Sequence, residues 1–182
     1  MKTKDSIVQS ASNLIRLKGY FGTGINEIIE ESKIPKGSLY HHFPGGKDEV
    51  IEAALEEAAV SLAISFKNAM KGKGSAVNGL KGIIDLFIDD LKENKLKYGC
   101  PLAAVSMDVA IENENLRMAC TRLFDFWITA IDSYLKYKGI KKSREKAERF
   151  LIRVEGALLL SRVQQSDRPL KLIKKDLDNL IN

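Results

Sequence analysis

Only two of the 182 residues are cysteines, Cys100 and Cys120, and their spacing matches no metal pattern. That excludes a disulfide scaffold and fits a reducing compartment, where a small buried hydrophobe is the ordinary role of a free cysteine. Oxidation sensing by these thiols is left open. Histidine is as scarce, with His41 and His42 the two present. Adjacent residues do not share a helix face, and no cysteine lies near them in sequence, so no zinc site is expected. No apolar run approaches the roughly 20 residues that cross a bilayer. The segment MKTKDSIVQS lacks the apolar stretch of a secretory signal, so a cytoplasmic protein with no membrane partner is expected. No sustained alternation calls for a strand. The enzyme motifs G-x-G-x-x-G, P-loop, H-E-x-x-H and G-x-S-x-G are all missing, which argues against an enzyme and a cofactor.

A further absence is local. Residues 32–47 contain Lys33, Lys36 and Lys47 but no Asp or Glu. The first fifty residues hold seven basic and six acidic side chains, so positive charge is sorted there rather than abundant. The formal net charge of +5 permits a nucleic-acid partner without establishing one.

What is present is helix after helix. Ile7, Ala11, Leu14 and Ile15 share a face, and Gly19 stops the first helix. Thr23 stands where a cap belongs, before Ile25, Ile28 and Ile29. Ser32 to Pro35 breaks the pattern, and Lys36 to Phe43 forms a third helix with Leu39 and Phe43 inward. After the Pro44-Gly45-Gly46 turn, a long helix starts at Lys47 with Asp48 and Glu49 in its first turn. KGKGS at 71–75 reads as a linker. Beyond it come a helix over Leu80–Leu91, one opened by Pro101, one over about 115–137, one capped by Ser143, and a last one opened by Arg168-Pro169. The spacing predicts an all-α protein of about nine helices. Its organisation is expected to be a DNA-binding domain at 1–46 with a helix-turn-helix at 24–43, a connecting helix at 47–70, and a second domain at 75–182.

In a helix-turn-helix the second helix lies in the major groove, so it needs one small or polar face and one apolar anchor. Lys36-Gly37-Ser38-Leu39-Tyr40-His41-His42-Phe43 meets both demands. Gly37 lets the backbone approach, and the other outward side chains offer donors to phosphates or base edges.

Gly19-Tyr20, Thr23, Ile28, Lys36-Gly37-Ser38-Leu39-Tyr40, Phe43 and Lys47 resemble TetR-type repressors over roughly the first 60 residues. The wording PKGSLYHHFPGGKDE and Gly99-Cys100-Pro101-Leu102 resemble the branch containing LmrA and YxaF. Two departures stand out: one extra residue separates Phe43 from Lys47, and Pro35 replaces a frequent Ser, removing a hydroxyl contact to DNA. The resemblance implies that Thr23 and Lys47 hold phosphates, that Lys36, Tyr40 and His42 grip backbone or base edges, and that Gly37, Ser38 and His41 lie close to the duplex. It implies a homodimer on a palindromic operator of double-stranded DNA, released by a small-molecule effector.

For the second domain, Phe66, Phe87, Leu102, Met107, Phe124 and Trp127 are candidate walls of an apolar, aromatic effector pocket. Ala157 to Leu160 is apolar around much of its helix, with Gly156 allowing close approach. Gly156, Leu159, Leu160, Val163, Ile173 and Leu177 are therefore the expected dimer interface. The competing possibility is a helical small-molecule-binding protein without operator function.

Overall fold

Each run of helically spaced apolar residues becomes a helix in the computed structural model, which describes residues 3–181. Met1 and Lys2, part of the segment examined for a secretory signal, and Asn182, at the end of the second domain, lie outside the described residues. Ten helices and no strand occur among the described residues. In chain order they are α1 (Thr3–Lys18), α2 (Ile25–Ser32), α3 (Lys36–His42), α4 (Lys47–Met70) and α5 (Ala76–Glu93). There follow α6 (Pro101–Val109), α7 (Glu114–Tyr137), α8 (Ser143–Gln164), α9 (Arg168–Lys175) and α10 (Leu177–Ile181). No helix among the described residues is long and apolar enough to cross a membrane.

The tenth helix arises because the expected last helix breaks at Asp176. Its N–H bonds to Ile173 O at 3.2 Å, a tightened turn that interrupts the α-ladder. Two expected caps are also corrected. Gly24 occupies the cap position of α2, and Thr23 is buried with its hydroxyl donating to Gly19 O at 2.7 Å. Lys142, in left-handed backbone, precedes α8, while Ser143 is buried and donates to Asp132 Oδ1 at 2.6 Å. A side-chain cap that the sequence reading passed over is Ser75, whose hydroxyl accepts from Asn78 N–H at 3.1 Å at the start of α5.

By packing, the chain divides within α4, at the Gly99–Cys100 step and within α7. One unit holds residues up to Val60 together with Cys100–Phe124; the other holds Ser61–Gly99 and the chain from Asp125 onward. In the first unit, Ile7, Ile15, Ile28, Leu39, Phe43, Ile51 and Leu55 are fully buried around α1, which packs on α2, α3 and α6. Cys120 is buried here too, and burial pushes its thiol above the ordinary value, which disfavours the reactive thiolate. In the second unit, Phe66, Leu80, Ile83, Trp127, Ile131 and Phe150 form the core, with α9 and α10 packed on α5 and α8.

Among the described residues, Asp132 is the one buried acid of the second unit's core. Burial alone would raise its carboxyl, but hydrogen bonds from Lys136 and Ser143 outweigh burial and hold it below the ordinary value. A carboxylate so held stabilises the fold above the unfolded-chain pKa of about 3.9, and the contribution fades as pH falls through the lower folded value. Ser143→Ala should therefore cost roughly 1–3 kcal/mol at neutral pH. The gap to wild type should close as pH falls below about 4. Urea denaturation at the two pH values measures both effects.

Candidate nucleic-acid interface

Lys33 lets the chain turn between α2 and α3 by adopting left-handed backbone, φ 56°, with its N–H bonded to Glu30 O. Ser6 of α1 donates to Ser32 O at 3.2 Å and ties this turn to the first helix. Pro35 then opens α3, its carbonyl accepting from Ser38 N–H at 2.9 Å and Leu39 N–H at 3.3 Å. Leu39 and Phe43 are buried at 0% and 1% exposure, so α3 is fastened along one side. Lys36, Gly37, Tyr40 and His41 are exposed on α3, while Ser38 and His42 are half-buried. A side chain on Gly37 would meet nothing within 4 Å, which leaves the backbone open there. The rings of His41 and His42 lie 5.3 Å apart. No cluster of metal-ligating side chains occurs among the described residues.

The extra residue before Lys47 is accommodated by Gly46, whose φ of 71° closes the Pro44-Gly45-Gly46 turn. Its N–H bonds to Phe43 O at 2.9 Å. Lys47 then starts α4 half-buried, with Nζ 3.9 Å from the centroid of the Tyr20 ring. Burial lowers the Lys47 ammonium from its ordinary value, and Asp48 and Asp108 oppose the shift.

Tyr20 is the residue that sequence reasoning missed. Its hydroxyl donates to Asp48 Oδ1 at 2.6 Å, and Asn113 Nδ2 donates to Asp48 Oδ2 at 2.8 Å. Its backbone N–H donates to Asp108 Oδ2 at 2.7 Å, with Phe21 N–H on the same oxygen at 3.2 Å. Burial and the Asp48 contact push the Tyr20 phenol above its ordinary value. Gly19 must be glycine twice over: φ is 73°, and a Cβ would lie 2.5 Å from Asp108 Oδ2. These partners are 28 and 88 residues apart in the chain, so no local spacing could have announced them.

Thr23 leaves the set of phosphate contacts, because it is 0% exposed and its hydroxyl is committed to Gly19 O. Of the candidate pocket walls, Phe66, Phe87 and Trp127 do come together in the second unit, with ring centroids 5.9 Å and 6.2 Å apart. Leu102 and Phe124 belong to the first unit, buried and half-buried. Met107 is corrected: at 80% exposure on α6 it lines no interior wall of this chain. Of the expected interface, Gly156, Leu159, Leu160 and Val163 are exposed on α8, and Ile173 is half-buried. Leu177 is corrected, since the break at Asp176 puts it in the core at 1% exposure. Ile152, 71% exposed, extends the α8 stripe by one turn, a continuation that the i, i+4 spacing to Gly156 could have shown.

Residues 7–54 match the model of the TetR family of bacterial regulatory proteins, and residues 76–176 match the C-terminal domain of LmrA/YxaF-like transcriptional regulators. The chain is 29% identical to the HTH-type transcriptional regulator LmrA of Bacillus subtilis, covering 98% of this chain and 96% of that protein. It is 32% identical to an HTH-type transcriptional regulator of Mycobacterium tuberculosis, covering 98% of this chain and 93% of that one. A TetR regulatory protein from Rhodobacter sphaeroides has the same fold, with a TM-score of 0.88 at 19% identity over 98% of both chains.

Asp108→Ala would leave the part-buried N–H of Tyr20 without its acceptor and free the exposed N–H of Phe21 to water, a loss of roughly 1 kcal/mol. Hydrogen exchange is expected to show the amides of residues 19–22 opening faster in the variant; unchanged protection there would discount the Asp108 contact.

Proposed function

The chain belongs to the TetR family and is a DNA-binding transcriptional regulator, and from that premise we propose that it is a ligand-released repressor acting as a homodimer on a palindromic operator. The family is one of transcriptional regulators rather than enzymes. The observation that carries the proposal is the outer side of α3: Lys36, Gly37, Tyr40 and His41 are exposed, without an acid, over an anchor of buried Leu39 and Phe43.

In this proposal α3 enters the major groove. Lys36, Tyr40 and His42 contact phosphates or base edges, and Ser38 and His41 lie beside them. Gly37 admits the backbone to the duplex, and Lys47, held over the Tyr20 ring, takes a phosphate. Two copies of α3 spaced about 34 Å apart would read the two half-sites. The exposed stripe of Ile152, Gly156, Leu159, Leu160 and Val163 supports dimerisation through α8, because an apolar row of this kind on a soluble protein calls for a partner. The aromatic set Phe66, Phe87 and Trp127 supports a small aromatic or drug-like effector. Such an effector releases DNA only through unequal affinity for the bound and free conformations. The protein would act in the cytoplasm, with its DNA.

Tyr40→Ala and Lys47→Ala should each weaken operator binding about tenfold while leaving the dimer intact, with the Lys47 variant also lowering the salt slope by about one. Mobility shift of the protein's own promoter region across a salt series measures this; unchanged affinity would remove these contacts. Absent or salt-insensitive DNA binding beside tight ligand uptake would instead mark a small-molecule-binding protein without operator function. Gly156→Arg, at a site with open space around it, should shift the protein toward monomer in sedimentation, and a fully dimeric variant would refute the α8 interface.

A further inference from the structure

The surplus of positive charge does not lie at α3. Residues 136–149 carry seven Lys or Arg and two Glu, a surplus of five that equals the formal net charge of the whole chain, +5. The rest of the sequence balances to zero. Part of this cluster lines a concavity of about 540 Å³ within the second unit, formed by Lys141, Lys142, Glu145, Lys146, Arg149, Asn179 and Leu180. None of the residues assigned above to DNA, effector or dimer contributes to it.

Two of the four cations lining this concavity, Lys141 and Lys142, have no acid partner among the described residues. Glu145 is paired with Arg149 at 2.7 Å. Lys146 Nζ donates to the Ile181 carbonyl, which fixes its position and leaves an ammonium with further donors. Lys141 and Lys142 are exposed, and no acid pairs with either among the described residues. Lys142 takes left-handed backbone, φ 51°, at a position where Gly or Asn would sit with less strain. The strained backbone carries a lysine to the rim.

We infer that this concavity binds a small, multiply charged phosphate compound. Its volume falls in the range of small-ligand sites, roughly 300–1,000 Å³. Lysine and arginine are the side chains that hold phosphate oxygens, by charge-assisted hydrogen bonds. The lining has no aromatic ring on which a nucleic-acid base could stack, which favours a compact polyphosphate over a single strand.

Isothermal titration of the full chain with sodium tripolyphosphate, at ionic strength held constant with sodium chloride, tests the site. Wild type should take it up saturably. Lys141→Gln combined with Lys142→Gly, the glycine keeping the left-handed turn, should weaken uptake about tenfold with the thermal melt by circular dichroism unchanged. Equal uptake by wild type and variant, or none by wild type, overturns the inference. So does loss of random-duplex binding in the variant when wild type takes up no tripolyphosphate, because the surface then serves nucleic acid. The measurement does not depend on operator binding, so this site and the repressor proposal can fail separately.

Discussion

A seven-residue helix has no stability of its own in water, where isolated helices below about 12–15 residues are marginal. α3 exists because Leu39 and Phe43 are withdrawn from solvent, each contributing on the order of 2 kcal/mol. Pro35 has no N–H to satisfy and offers no side-chain cap, so the helix draws little from its own ends. With the anchoring confined to two side chains, the outward ones carry no structural duty and are free to be chosen for a partner. The availability of Lys36, Tyr40 and His41 for a partner depends on that division of labour.

The second dependence runs through Tyr20. The chain passes between its two units three times: within α4, at the Gly99–Cys100 step before α6, and within α7. Each passage has a residue in the Tyr20 network. Asp48 is on α4, Asp108 is on α6, and Asn113 precedes α7, where its Oδ1 also accepts from Leu116 N–H at 3.1 Å. A displacement of any of these helices bears on the loop after α1 and on the ring beneath Lys47.

Helices with an uninterrupted apolar face were legible in the sequence, because burial there follows from spacing alone: α5 is buried at Leu80, Ile83, Ile84, Phe87, Ile88 and Leu91. So was the two-sided character of α3. What escaped was decided by contacts and breaks that residue type and spacing alone do not announce. Thr23 and Ser143 have the chemistry of caps, yet a nearby carbonyl claimed one hydroxyl and the buried Asp132 the other. Met107 and Leu177 are apolar residues at helical spacing, and spacing cannot tell a face turned to solvent from one turned inward after a helix break. Composition and packing report different things here: 71–75 marks a turn between helices, whereas packing groups α6 and the start of α7 with α1.

Charge shows most clearly why placement matters more than composition. A basic isoelectric point invites the conclusion that the excess cations face DNA. Here α3 and its turns carry three lysines within a chain segment that is simply free of acids, while Glu27 is held by Lys18 and Glu49 by the Gly45 N–H. The phosphate backbone is attracted by a local field, and that field is set within a Debye length of about 8–10 Å. Acid-free placement next to the groove therefore does for α3 what a larger surplus would do from farther away. The surplus itself is concentrated at 136–149, where the concavity of the second unit calls for a different anion.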